Sequence, residues 1–451
     1  MTTKTARRAG TNFSSCRSYN AALFVAAAVL CAGGFFPAVA DGREPVPGRF
    51  ATDELESYQL ELSVAAPAVS CDDVPLHALI ELPEPWKSLP PERIAAELVE
   101  LGDKPGDAGS VVGQILPGGA GRVELWWIQP RAEAGRSSRW TARLSVQTQG
   151  DASGMVTPPE LSGFRWQPDD EHQTLDLLDG GLRRLRYMHA YDATRRVETY
   201  KPYHHVFDPE GMEYITKGPG GLYTHHRGIF IGWNRLTAGG KEFDLWHMTG
   251  GEQRHRMMLD TQAGPVVARS RALIHWMLTG GVIALSEVRE ITVLHQSGPG
   301  ALLIEFASRL KAVSGPVFLN GDPEHGGFQY RAHNGVAEGD AAVKARYLFH
   351  ADGIDPRKDK DLPWVAMSYG FGGRRFSVQH MNHPANPAGT VYSAYRDYGR
   401  FGAFFTKKIA AGETLSLRYR IYVAEGEMPP RAELADRFAV FADPPRVEVI
   451  R

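Results

Sequence analysis

The chain predicts an all-β protein, a small N-terminal β-sandwich followed by a large antiparallel β-sandwich. Three features carry this. Strand-length segments alternate apolar and polar residues, as half-buried strands do. Gly, Pro and Asp separate them at roughly sandwich spacing. A 3.6-residue apolar period is almost missing; residues 427–441, with Leu434, Phe438 and Phe441, form the best helix candidate.

The first 40 residues read as a signal peptide. Lys4, Arg7, Arg8 and Arg17 precede an apolar run over residues 21–36, then Ala38-Val39-Ala40, with no acidic residue before Asp41. Basic, apolar, small, then polar is the order of a cleavable export signal. The apolar run is shorter than the ~20 residues of a spanning helix. The expected mature protein starts at Asp41 and is exported to the periplasm or beyond, with no stable membrane insertion after cleavage. Residues 41–54 read as a linker.

Residues 55–150 form the first predicted domain. Residues 58–64, 77–82, 96–101, 111–116, 123–128 and 140–146 each have strand character, although Pro90-Pro91 can open a short helix. Residues 151–162 are a Gly-, Pro- and Ser-containing joint. The second domain, 163–451, carries strand patterns over Leu182–Met188, Ile229–Trp233 and seven further segments up to residue 423. So many antiparallel strands suggest two large packed sheets.

Composition narrows the partners. Fifty basic and 52 acidic side chains leave a formal net charge of −2, which gives no reason to expect nucleic acid. Past residue 40 only Cys71 remains, so an internal disulfide and a cysteine-based metal site are both excluded. Nucleophile-elbow, phosphate-loop and dinucleotide patterns are absent.

Histidine, arginine and aromatic residues gather in the second domain. If residues 225–233 are extended, His225 and Arg227 share a face with Ile229, Ile231 and Trp233, and His226 takes the other. That favours His226 as the side chain that points into a cleft. An extended segment 328–333 puts Gln329, Arg331 and His333 on one face and Phe328 and Tyr330 on the other. Amide, guanidinium and imidazole together suit a polyhydroxylated or carboxylated ligand. His325, Trp246, Tyr395 and Arg396 stand beside these segments as further ligand contacts, the aromatic rings for stacking on sugars. Each also has a plain structural reading, as a loop cap, a solvated sheet face or core. No cofactor is expected. A bound metal ion is left open as the alternative, at His247, Glu252 and His255, which a loop around Gly250-Gly251 can bring together, although no familiar ligand spacing occurs.

At Lys201-Pro202-Tyr203, His225-His226-Arg227-Gly228-Ile229, Gly232-Trp233, Asp244-Leu245-Trp246 and Gly326-Gly327-Phe328-Gln329-Tyr330-Arg331 the sequence resembles a bacterial family labelled methane oxygenase PmoA-like. The resemblance spans roughly residues 165–425. It implies an exported protein from bacteria rich in polysaccharide-degrading machinery, and it supplies no catalytic residues. The label does not describe the activity, because the membrane methane monooxygenase subunit needs several spanning helices and none occurs after residue 40.

Two functions follow as expectations. In the first, the large sandwich resembles the galactose mutarotase type and carries a carbohydrate-active hydrolase or lyase. His225 or His226 serves there as acid or base, and Arg227 and Arg331 meet a carboxylate or oxyanion. Gln329 and His333 orient hydroxyls. In the second, the same face belongs to a non-catalytic glycan-binding or surface-assembly protein. Convergence of His225, His226, Arg227, Gln329, Arg331 and His333 on one cleft is the geometric test of both.

Overall fold

Alternating burial sorts the strands into sheets: in Ser138–Val146, for example, Trp140, Ala142 and Leu144 turn inward and their neighbours outward. A computed structural model describes residues 57–102, 109–119, 121–146 and 163–450. The expected signal peptide, the cleavage at Asp41, the linker 41–54 and the joint 151–162 lie outside the described residues. These fall in one compact unit, 52–451, and are nearly all β.

The N-terminal strands make one seven-stranded antiparallel sheet rather than two facing ones. Its order runs Cys71–Glu81, Arg122–Ala132, Ser110–Gly119, Ile94–Glu100, Ser138–Val146, Ser57–Val64, Val447–Val449. The two end strands touch each other, so the sheet curls around its own core of Leu62, Leu98, Leu125, Trp127 and Trp140. Trp86, on the short helix Glu84–Lys87, joins that core. Burying each such side chain contributes ~1.5–3 kcal/mol. The last strand comes from the C-terminus, which the sequence reading had assigned wholly to the second domain. Pro90-Pro91 opens a 3-10 turn, Pro91–Arg93, before a strand.

The larger part packs two eight-stranded sheets over one core. The first, here the site sheet, has the order Val391–Tyr392, Arg400–Phe404, Gly326–Arg331, Ile229–Trp233, Tyr203–Val206, Leu182–Met188, Thr174–Asp179, Phe164–Asp169. The second runs from Gly251–Gln262 through Val267–Leu278, Ile283–His295, Leu302–Ala312, Thr414–Glu425, Arg374–Asn382 and Trp364–Phe371 to Arg346–Phe349. Phe328 of the site sheet stacks on Tyr419 of the other, with ring centroids 4.5 Å apart. A four-stranded sheet, Lys241–Phe243, Arg235–Ala238, Val317–Asn320 and Lys407–Ile409, flanks the pair. The helix predicted at 427–441 forms as Arg431–Ala442, burying Leu434, Val440 and Phe441.

The N-terminal sheet is fastened to this body by side chains. The Gln114 amide accepts from the N–H groups of Val266 and Val267 and donates to the Val267 carbonyl. Arg269 pairs with Glu124 at 2.7 Å, and Leu116 and Trp126 share a core with Val266, Trp364 and Phe441. No helix among the described residues is long and apolar enough to cross a membrane.

Candidate metal centre and the pocket beside it

Ile229–Trp233 is central to the site sheet and buried on both faces. Ile229, Ile231 and Trp233 face the core between the sheets. Phe230 faces the other way and builds a small floor with Tyr203 and Trp246. Over that floor the Lys201 ammonium donates to the Trp246 carbonyl at 2.7 Å and sits 4.3 Å from the Phe230 ring centroid. Burial pushes its pKa well down, and the neighbouring Arg227 and Arg331 charges push the same way. The backbone pairs too closely here for side chains: a Cβ on Gly228 would lie 2.3 Å from the His204 carbonyl oxygen, and one on Gly327 1.8 Å from that of Ala403.

Three loops then deliver three imidazoles to one place. His225 arrives on a turn, closed by the His226 N–H donating to the Tyr223 carbonyl at 3.0 Å. His247 lies on the loop between Lys241–Phe243 and Gly251–Gln262, and His325 stands just ahead of Gly326–Arg331. One ring nitrogen from each of the three lies within 4.8 Å of the others, and all three residues are half-buried. The His225–His247 and His247–His325 ring centroids are 4.4 and 5.0 Å apart.

Two of the imidazoles are held by carboxylates. His247 Nδ1 lies 2.7 Å from Asp244 Oδ2, and His325 Nδ1 lies 2.8 Å from Asp322 Oδ1. Asp244 is itself fixed by the N–H groups of Trp246 and His247, and Asp322 by Asn234 at 2.7 Å. Burial raises the pKa of Asp322, but the hydrogen bonds from His325 and Asn234 outweigh it and hold the carboxyl at about 2. The same contest, decided by His247 and backbone donors, keeps Asp244 below the usual carboxylate range. An Nδ1–H bound to a carboxylate leaves Nε2 as a free lone pair, the arrangement that orients a metal-ligating histidine. His225 Nε2 is buried and has no hydrogen-bond partner. Burial, then His247, Lys201 and Arg331, lower its pKa to about 3, so its ring is neutral at ordinary pH. A neutral imidazole with an unused lone pair is what a cation needs. Three such nitrogens suit a transition metal ion such as zinc, and leave a coordination position for water or substrate.

His226 turns away from this cluster. Its ring meets that of His225 edge-on at 4.5 Å and stacks on Tyr223 at 4.9 Å. With Lys217, Tyr223, Arg331, His333 and Tyr398 it lines a narrow pocket. Of the six residues expected to converge, His226, Arg331 and His333 reach this pocket. Gln329 stands behind Arg331, accepting from its Nη1 at 2.5 Å. His225 joins the metal cluster next door. Arg227 departs from the expectation: its guanidinium donates to the carbonyls of Thr224, His226 and Val197 and stabilises the turn. His333 also caps a short helix, accepting from the Gly335 N–H at 3.0 Å. Trp246 is fully buried, so it supports the floor instead of stacking on a ligand. Tyr395 and Arg396 bind Glu324 at 2.7 and 3.0 Å, as does Arg400 at 3.1 Å.

Alternation failed at residues 225–228 because the segment is a turn, with the strand beginning only at Ile229. The set His247, Glu252, His255 does not assemble either. Glu252 pairs with Arg196 at 3.3 Å, and His255 Nδ1 meets the Tyr187 hydroxyl at 3.2 Å. His247 was therefore placed with the wrong partners, and Asp244 and Asp322 were missed. A signal existed: Asp244-x-x-His247 and Asp322-x-x-His325 repeat one spacing. Asp169-x-x-His172 repeats it a third time, with the same kind of contact at 2.9 Å, but on an exposed hairpin. The spacing marks braced histidines, and only the fold makes two of them meet.

Searches against known proteins add a family but no activity. No curated protein matches the chain. Among solved structures, the Slr1438 protein from Synechocystis sp. PCC 6803 is 12% identical, over 60% of this chain and 99% of that one, with a TM-score of 0.23. At that score the likeness carries no argument. Residues 174–439, which include every side chain of the cluster and the pocket, match the family of unknown function DUF6807, and the chain belongs to that family.

Proposed function

We propose that this chain is a divalent-metal-dependent hydrolase or lyase acting on a carbohydrate, with His225, His247 and His325 as the metal ligands. The observation that carries the proposal is the pair of Asp-braced imidazoles facing the unpartnered Nε2 of His225. One ring nitrogen from each of the three lies within 4.8 Å of the others, and a purely structural histidine cluster has no need of carboxylate braces on two rings beside a buried, unpartnered nitrogen on the third.

An ion held there supplies Lewis acidity and lowers the pKa of a bound water toward 7. The protein's own groups do the rest. His226 is buried, and burial, then Arg331 and His225, push its pKa well down. It holds a proton too weakly for an efficient general base at neutral pH. It suits instead a neutral hydrogen-bond partner that orients a substrate hydroxyl or water. Tyr223 and Tyr398, 4.6 Å apart, give the pocket wall an aromatic surface against which a sugar ring can lie. The signal-like N-terminus adds export as part of the same proposal.

The test is turnover of an oligosaccharide panel by metal-stripped protein before and after zinc, manganese, iron or copper is restored. Metal-dependent turnover that disappears in His247→Ala is the expected result. A protein that binds the ion and a glycan, yet turns nothing over in any metal form, contradicts the enzyme reading and leaves a glycan-binding module.

A further inference from the structure

We infer that the narrow pocket beside the histidine cluster is a carboxylate subsite, and that the carbohydrate is an acidic one whose uronate group meets Arg331. The subsite stands on the protein's own side chains; only its assignment to a substrate rests on the proposed function.

Arg331 is 1% exposed. Its Nη1 donates to Gln329 Oε1 and the Tyr330 carbonyl, while Nε and Nη2 have no partner. Those two N–H groups lie along one edge of the guanidinium plane. Their spacing matches the two oxygens of a carboxylate, which takes them as parallel hydrogen bonds. Buried donors are almost always paired, so an unpaired pair on a residue lining a pocket points to a ligand.

Charge agrees with geometry. Arg400 is also 1% exposed, and its Nε and Nη2 are likewise unpartnered. Burial and the facing charge of Arg400 both push the Arg331 pKa down, which marks a local excess of positive charge. Glu324 offsets it only in part, because its single negative charge is shared between Arg396 and Arg400, with Tyr395 also donating to it. Lys217 adds a further ammonium to the lining. An anion entering here relieves the repulsion and satisfies the edge of Arg331 together.

Size favours a carboxylate. The pocket is too narrow for a whole sugar ring: it holds about 10 Å³ of water-sized space, about the room of one ordered water, which a carboxylate oxygen would displace. A phosphate needs more room and more donors, and one guanidinium alone lines the space. With the carboxylate seated, the ring sits at the mouth, beside His226, whose imidazole meets that of the proposed metal ligand His225 edge-on at 4.5 Å.

Isothermal titration of the full-length, metal-stripped protein tests this, since no ion is then present to bind the carboxylate itself. The probes are D-glucuronate, D-galacturonate, D-glucose, D-galactose and inorganic phosphate. A uronate should bind at least tenfold more tightly than its neutral sugar, and Arg331→Gln should abolish that preference. Because Arg331 is buried, Asn334→Asp at the pocket lining is the second variant. It is isosteric, and its added negative charge should cut the preference for uronate over its neutral sugar at least tenfold. Equal binding of uronate and neutral sugar, phosphate binding without uronate binding, or no uronate binding at all overturns the subsite. Metal uptake, measured separately on the same protein, distinguishes its failure from failure of the metal centre.

Discussion

His225, His247 and His325 can be set beside a second group in the same domain, His189, His204 and His255. The rings of the second group are as close: His189 and His255 lie 4.5 Å apart, and His204 stacks on Tyr187 at 4.7 Å. What differs is the partner of each ring. In the second group His255 Nδ1 meets a tyrosine hydroxyl, His204 Nδ1 has no partner, and no carboxylate holds any of the three rings. Their rings pack against aromatic surface, beside the Arg289 charge. Burial, then His189 and Arg289, lower the His255 pKa to about 4. In the first group Asp244 and Asp322 fix two rings, and one ring nitrogen from each of the three lies within 4.8 Å of the others. Crowding of imidazoles is therefore common to both; carboxylate bracing and convergent lone pairs belong to one.

The sharpest way to break this comparison is to remove a proposed ligand. His247→Ala or His325→Ala should weaken zinc or cobalt binding by more than about 100-fold, as loss of one of three protein ligands requires. Isothermal titration of stripped protein reads this directly, and unchanged affinity would undo the assignment. Removing a brace should do less. Asp244→Ala and Asp322→Ala should each weaken metal binding by roughly 10–100-fold, the usual effect of an outer partner.

A change in the second group should leave metal affinity alone and appear instead as acid stability. Burial holds the folded pKa of His255 at about 4, below the ordinary histidine value of 6.5. A depressed pKa means that the unfolded chain binds the proton more readily. Stability from keeping His255 neutral is thus fully present above pH ~6.5 and falls as pH drops toward ~4. His255→Gln should recover about 2 kcal/mol of acid stability relative to its own neutral-pH value. Denaturant unfolding at pH 7 and pH 4 measures it; parallel losses in wild type and variant would remove the claim. The smallest effect belongs to the third Asp-x-x-His pair. Asp169→Ala, on an exposed hairpin, should leave both metal affinity and the denaturant midpoint unchanged.

The same contrast explains what was legible in the sequence. Leu182–Met188 and Ile229–Trp233 were readable to the residue, because strand alternation is local and their flanks are turns. Arg331 and Gln329 share a face as the period of two requires. Val447–Val449 was not legible: a three-residue strand becomes one only by pairing with Ser57–Val64, far away in the chain. The metal cluster was half legible. His225, His247 and His325 were all noticed, yet their grouping depends on three loops whose approach is set by sheet order. Proximity in sequence suggested His247 with Glu252 and His255, but the strand Gly251–Gln262 carries those two to the other sheet.

Cobalt(II) titration of stripped full-length protein, followed by its visible d–d absorption, tests the central claim most directly. One ion per chain, with a spectrum that is lost in His247→Ala and His325→Ala and retained in His255→Gln, is the predicted result. No saturable cobalt binding, or binding indifferent to His247 and His325, would contradict it.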